Sequence, residues 1–447
     1  MELTRMYLER LERHNPALNC VVTFTGDLAL AQARQADEEI AAGRYRGPLH
    51  GIPWGCKDII AVAGYPTTWG SGAFKGQIID GEATVVRLLR EAGAVLVAKL
   101  STGELAAGDR WFGGRTNNPW DPRDGSSGSS AGPASATAAG LVAFAIGTET
   151  SGSILSPSTA CGVTGLRPTF GRVSRHGCMT LSWSQDRIGP LCRTAEDCAV
   201  VFDAIAKADE HDLSVIDLPF NWDAALDVRR LRIGYFRPGF EDAGRHAEWK
   251  KNDQATLDAL RALGIRPEPF DLSALSTTLV GGSGGILGAE SAAAFDEFLR
   301  SGRTSELTNT QRANGFRRNR LIPAVEYLQA QRARALLMRQ FAEAVSCFDV
   351  YIAPYMPVRS AGSAAPPSTP PTPAPPQAPN VIRDHFQVAN VCGYPAVSVP
   401  NGFTAEGKPT SMTFLGRLYN EAQILGLAKA YQDAAGWHKT HPSLTST

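Results

Sequence analysis

Apolar and polar positions follow two rhythms that alternate along the chain. Residues 3–14 space their apolar side chains at helical intervals and stop at Asn15-Pro16, and residues 28–42 read as a second helix ending near Gly43. The turn residues 47–53 (GPLHGIP) precede the apolar run 54–62. The pattern then predicts a helix over 83–92 closed by Gly93 and a buried strand over 94–100. A small-residue helix over 134–140 leads to a strand over 141–146. Further along come a strand over 231–236, a helix over 252–263 ended by Gly264, a strand over 265–272, a long helix over 324–345 and a short strand over 350–353. Strands that alternate with helices predict an α/β fold with a mostly parallel or mixed sheet. No repeat period interrupts this order.

The chain has 447 residues, enough for one large α/β domain or two smaller ones. Residues 363–379 (SAAPPSTPPTPAPPQAP) have few backbone donors and form a surface loop of partly polyproline character. The strand-like stretches 395–400 and 411–415 beyond it are too short to fold alone. A single domain over residues 1–447 is therefore expected, with the proline-rich loop (358–380) inside it. Lys+Arg and Asp+Glu both number 44, so no basic field invites nucleic acid. No apolar run approaches the roughly 20 residues that span a bilayer, and the charged, amphipathic N-terminus lacks the core of a signal peptide. The expected compartment is the cytoplasm, with no membrane contact. The eight cysteines are scattered without a C-x-x-C pair and are expected to be reduced core thiols.

The densest chemistry lies in residues 125–168, where Ser and Gly crowd one short apolar segment. A Thr-Ser-Gly-Ser turn after the strand over 141–146 can aim successive N–H groups at one point beside the Ser153 hydroxyl, which would form an oxyanion hole. A plain Gly/Ser loop fits the same letters. Lys57 stands in an apolar neighbourhood. Its stem can pack while its ammonium reaches water, or, if buried beside hydroxyls, it can lose its charge and act as a base.

Two stretches match G-x-S-x-G: Gly128-Ser129-Ser130-Ala131-Gly132 and Gly281-Gly282-Ser283-Gly284-Gly285. A nucleophile elbow needs a strand before it and a helix after it. The first follows polar residues 117–127 and fails that test. The second sits between an apolar 277–280 and a helical 289–299. An α/β-hydrolase-like esterase using Ser283 with His385, His438 or His441 therefore stays open. No phosphate-cradling G-x-x-x-x-G-K-[ST] occurs, and Leu287 stands where a dinucleotide fingerprint would need glycine. The eight histidines are dispersed without H-E-x-x-H, so no metal site is expected.

Together the motifs resemble the amidase signature family. They are residues 47–58 (GPLHGIPWGCKD), Asn118-Pro119-Trp120-Asp121-Pro122 with Gly128–Gly132, residues 147–154 (GTETSGSI), residues 161–168 (CGVTGLRP), the helix over 327–341, the strand over 348–354 and residues 389–403 (ANVCGYPAVSVPNGF). The resemblance covers most of the chain and is weakest over 205–310 and the proline-rich loop. It implies a central mixed sheet covered by helices on both faces. It also implies a Ser–cis-Ser–Lys triad: Ser153 as nucleophile, Ser129 as the bridging serine after a cis Gly128–Ser129 peptide, and Lys57 as base. The N–H groups of Thr150, Ser151, Gly152 and Ser153 would form the oxyanion hole, and no metal or cofactor would be needed.

The implied activity is amide C–N hydrolysis through an acyl-enzyme, with esters and carbamates as further candidates. A monomer or homodimer is expected. The same motifs fit the glutaminase-type component of a tRNA-dependent amidotransferase, which needs partner subunits. A non-catalytic binding protein that kept the fold is a third reading. Four departures bear on the substrate: Ser151 stands where the family usually has Gly, Leu155 where it often has Arg, Ala131 where it has Gly and Pro133 where it has Ser. The chain also begins where family members are past their first helix, which implies a start further upstream. Trp111, Phe112, Trp183 and Tyr355 are candidates for lining an apolar pocket.

Overall fold

A computed structural model describes residues 1–276, 279, 285–356 and 381–444. Among them eleven strands form one mixed sheet. In chain order they are β1 (Val21–Phe24), β2 (Pro53–Lys57), β3 (Val95–Leu100), β4 (Phe144–Glu149), β5 (Thr164–Arg167), β6 (Arg187–Cys192), β7 (Ile233–Phe236), β8 (Glu268–Phe270), β9 (Val350–Pro354), β10 (Ala396–Phe403) and β11 (Pro409–Gly416). Across the sheet the order is β1-β3-β2-β4-β6-β5-β10-β11-β9-β7-β8. β2 runs parallel to β3 and β4, whereas β6 runs antiparallel to β4 and β5.

Alternate residues of the central strands enter different cores. Trp54, Leu96, Phe144 and Ile146 join one, while Val95, Val97 and Ala145 join another. A strand buried on both faces reads as a continuous apolar run, which is why residues 94–100 are legible as one. Helices Thr84–Glu91, Ala195–Ile205 and Glu421–Ala435 supply Val85, Phe202 and Leu425 to the first core. Helices Glu2–Leu18 and Ala131–Ala138 supply Leu11 and Ala136 to the second. Helix Ala324–Ala344 packs Leu337 and Phe341 with Tyr351 and Ala353 of β9. The sheet is thus covered by helices on both faces.

Several boundaries move for local reasons. The first helix runs to Leu18 with Pro16 inside its last turn. It closes only at Asn19, whose N–H reaches the Asn15 carbonyl at 2.6 Å in a left-handed conformation. The strand expected over 141–146 is β4, three residues later. The Leu141 N–H closes the preceding helix onto Ala136 at 2.9 Å, so the ladder starts at Phe144 opposite Trp54. The helix expected over 252–263 starts earlier, at Ala247, and the strand after it shrinks to the edge strand β8. β5 and β6 carry Gly165 and Gly189-Pro190 and show no strand pattern in sequence. β5 joins β6 only at Leu191 and Cys192, beyond Pro190. The hairpin of β10 and β11 is longer than its sequence pattern and lies inside the sheet, between β5 and β9. The proline-rich loop (358–380) lies outside the described residues.

Candidate active site

The site gathers where β2 and β4, which run parallel, both end, and where the antiparallel β6 begins. Lys57 is the last residue of β2, Glu149 the last of β4, and Arg187 the first of β6. Carboxyl ends of parallel strands are the usual place for a site in an open α/β sheet. Lys57 is fully buried. Its Nζ lies 2.8 Å from Ser129 Oγ, 2.8 Å from Thr148 Oγ1, 3.1 Å from Ser130 Oγ and 3.4 Å from the Thr148 carbonyl. Among the described residues no carboxylate pairs with it. The neighbouring Asp58 points to the other side of the strand and takes Lys99 at 2.8 Å. Burial pulls the Lys57 amine down from the ordinary lysine range to about 7. A neutral amine has two donors and one lone pair. It can donate to Thr148 and Ser130 while accepting the Ser129 hydroxyl proton.

Two tight approaches hold this cluster. The Ser130 hydroxyl donates to the Thr148 carbonyl and accepts the Thr148 N–H, both at 3.1 Å, tying helix Ala131–Ala138 to β4. Gly147 permits this, because a Cβ there would lie 2.7 Å from Ser130 Oγ. Ser129 is buried and follows a cis peptide bond with Gly128. Gly128 backs onto the Gly108 carbonyl, whose oxygen would lie 1.9 Å from an added Cβ.

Ser153 is half-buried in the turn between β4 and helix Leu155–Cys161. Its carbonyl accepts the Ser130 N–H at 3.1 Å, which fastens the turn beside Ser129. The Ser153 hydroxyl makes no hydrogen bond to another described residue. The turn passes through Gly152 at φ 93°. Among the described residues the N–H groups of Ser151, Gly152 and Ser153 donate to no protein acceptor. Thr150 donates its hydroxyl to Asp186 at 2.6 Å.

Glu149 clamps this turn. One carboxylate oxygen accepts the N–H groups of Ile154 at 2.8 Å and Leu155 at 3.0 Å, and the other pairs with Arg167 at 2.9 Å. Burial works against its charge, yet Arg167, Arg187 and those two N–H groups hold the carboxyl below its ordinary range. Arg167 in turn donates to the Tyr394 carbonyl at 2.9 Å.

Two cavities flank the cluster. One of ≈ 210 Å³ is lined by Thr148, Thr150, Asp186, Arg187 and Met179 among others. The second, of ≈ 460 Å³, is walled by Trp69, Ile79 and Phe295 and shares Cys178, Met179, Thr180 and Trp183 with the first. Of the four aromatic candidates, Trp183 lines both. Trp111 and Phe112 stack edge to face on each other, and the Tyr355 hydroxyl bonds Ser156 Oγ at 2.8 Å.

The elbow residue Ser283 lies outside the described residues. His385 is a core residue: it stacks on Phe236 at 4.4 Å, its Nε2 lies 3.1 Å from the Tyr351 hydroxyl, and burial drives its pKa to about 3. His438 and His441 sit in the C-terminal tail, half-buried and exposed respectively. Among the described residues no group of three or more His, Cys, Asp or Glu is arranged to hold a metal. No helix of the described residues is long and apolar enough to cross a membrane.

Sequence reasoning singled out Lys57, Ser129 and the 150–153 turn. It passed over Ser130, Thr148, Glu149, Arg167 and Arg187. The available signal was a charge in an otherwise apolar strand, as Glu149 in FAIGTE and Arg167 in TGLR. Buried charges of that kind need partners, and the partners come from remote parts of the chain.

The comparisons agree with this geometry. A family model described as Amidase matches residues 2–425. The amidase-type component of the glutamyl-tRNA(Gln) amidotransferase of Methylococcus capsulatus is 36% identical over 476 residues, covering 99% of this chain and 95% of the relative. The native peptide amidase of Stenotrophomonas maltophilia superposes with a TM-score of 0.81 at 29% identity, over 99% of this chain and 95% of that one. The corresponding amidotransferase component of Thermotoga maritima shares the fold with a TM-score of 0.79 at 24% identity, over 100% of this chain and 94% of that one. With the family model spanning nearly its whole length, this chain belongs to the amidase family, whose members act on carbon–nitrogen bonds.

Proposed function

We propose that the protein is an amidohydrolase that cleaves small or medium amides through Ser153, Ser129 and Lys57. The observation that carries this reading is the buried Lys57 amine, 2.8 Å from Ser129 Oγ with its pKa brought to about 7 by burial. Neutral Lys57 accepts a proton from Ser129 as Ser129 accepts one from Ser153. Ser153 Oγ attacks the amide carbonyl, and the N–H groups of the turn from Thr150 to Ser153 receive the negative oxygen. The C–N bond then breaks, and the proton returns through Ser129 to the leaving nitrogen. Water adds to the acyl-enzyme and frees the acid. The same route serves esters and carbamates, since each offers a carbonyl to Ser153. All eight cysteines are free, which supports a reducing compartment such as the cytoplasm.

The test is covalent. A serine-directed sulfonyl fluoride should label the protein at Ser153, and Ser153→Ala should lose both label and turnover. Labelling that survives Ser153→Ala but disappears in Ser283→Ala would transfer the role to the elbow serine. A second reading, a glutaminase-type component of a tRNA-dependent amidotransferase that works with partner subunits, is favoured by the identity to chains of that name. Glutaminase activity that appears only on adding such partners would establish it. Amide hydrolysis by the purified chain alone favours the stand-alone enzyme.

A further inference from the structure

The ≈ 210 Å³ cavity beside Thr150 includes four acidic or guanidinium side chains in its wall: Arg175, Asp186, Arg187 and Asp212. Three have their bonding spent on protein. Arg175 grips Asp212 through Nε at 2.7 Å and Nη2 at 2.9 Å. Asp186 accepts the Thr150 hydroxyl at 2.6 Å and the N–H groups of Leu181 and Ser182 at 2.8 Å.

Arg187 differs. It is 3% exposed, yet its Nη1 is buried and donates to nothing among the described residues. Its Nε donates to the Gln185 carbonyl at 2.9 Å. Its Nη2 donates to the Thr150 carbonyl at 3.4 Å, to the Asn390 carbonyl at 3.2 Å and to the Asn390 side-chain oxygen. None of these acceptors is charged. The nearby guanidinium of Arg334 is spent on the carbonyls of Val391 and Ser184, and Glu149 is committed to Arg167. The sheet register sets Arg187 directly opposite Glu149, at the foot of the turn that carries Ser153. A buried guanidinium with neutral acceptors and one idle donor is a binding site awaiting an anion.

We propose that Arg187 anchors a carboxylate on the acyl part of the substrate, so that the preferred substrates are short half-amides of dicarboxylic acids. This inference rests on reading Ser153 as the nucleophile. The amide carbonyl sits at the 150–153 turn while the distal carboxylate accepts the Nη1 donor and neutralises the guanidinium. The small cavity suits a chain of a few carbons. In the reaction Ser153 Oγ bonds the amide carbon, the C–N bond breaks and ammonia leaves with the proton returned through Ser129. Water then frees the diacid.

Succinamate and butyramide test this, because they differ by a carboxylate in place of a methyl group. The wild-type enzyme should favour succinamate in kcat/KM by about 10- to 100-fold, the range expected for a hydrogen bond to a charged group, with most of the difference in KM. Arg187→Gln should collapse that ratio and Arg187→Lys should keep part of it. Equal kcat/KM for the two amides in wild type, or an unchanged ratio in Arg187→Gln, overturns the assignment. Calorimetry on the Ser153→Ala protein gives a readout independent of turnover, and succinamate should bind more tightly than butyramide. If it does so while wild type hydrolyses neither, the anchor stands and the amidase reading fails. If both are hydrolysed without preference, the amidase reading stands and the anchor fails.

Discussion

At the scale of single residues the chemistry turns on Lys57. Its folded pKa of about 7 lies below the ordinary lysine value of 10.5. A protonated Lys57 cannot take the Ser129 proton, so kcat/KM should fall about tenfold per pH unit below about pH 7. The same shift is a stability term. The folded state binds fewer protons than the unfolded chain between about pH 7 and 10.5, so this contribution is full above the unfolded pKa and is lost as pH falls toward 7. The loss is roughly 1.4 kcal/mol per pH unit over that window. Lys57→Met removes the term, so urea denaturation from pH 10 down to pH 7 should show the variant gaining steadily on wild type. A gap independent of pH would mean the amine is charged in the folded protein. Gly128 carries a steric prediction. With Gly108 oxygen 1.9 Å from any added Cβ, Gly128→Ala must displace Ser129. Turnover should fall at least ~100-fold, because small misplacements of reacting groups cost that much.

Between elements, the active turn is held by what β4 ends on. Glu149 reaches forward to the start of helix Leu155–Cys161 and sideways to Arg167 on β5. One carboxylate thus fixes both ends of the Ser153 segment. Glu149→Ala leaves Arg167 buried without its counter-charge. Denaturant unfolding should register a loss of about 3–5 kcal/mol, with turnover reduced as the turn loosens. If activity falls while stability does not, Glu149 matters to the chemistry and is not the clamp.

Across the whole molecule, the late hairpin of β10 and β11 lies between β5 and β9, so one sheet joins the first and last thirds of the chain. The cysteines report on that packing. Of the eight free thiols only Cys347 is exposed, and Cys178 is half-buried. A thiol reagent should label one cysteine promptly in the native protein and eight after denaturation. Prompt labelling of Cys20, Cys56 or Cys192 would mean the sheet is not closed as described.

Local pattern alone carried the α/β class, the long helix over 324–345, the buried strand over 94–100 and the residue types at 57, 129 and 153. These depend on periodicity, on turn chemistry and on motifs contiguous in the chain. The strands β5 and β6 stayed hidden because glycine and proline mask them, and only their neighbours across the sheet make them strands. Tertiary structure alone decided that Lys57 is sealed from water among three hydroxyl groups, that Glu149 meets Arg167 and that Arg187 keeps one donor idle. Charge state and hydrogen bonding depend on what surrounds a group in space, and those surroundings come from segments far apart in the chain.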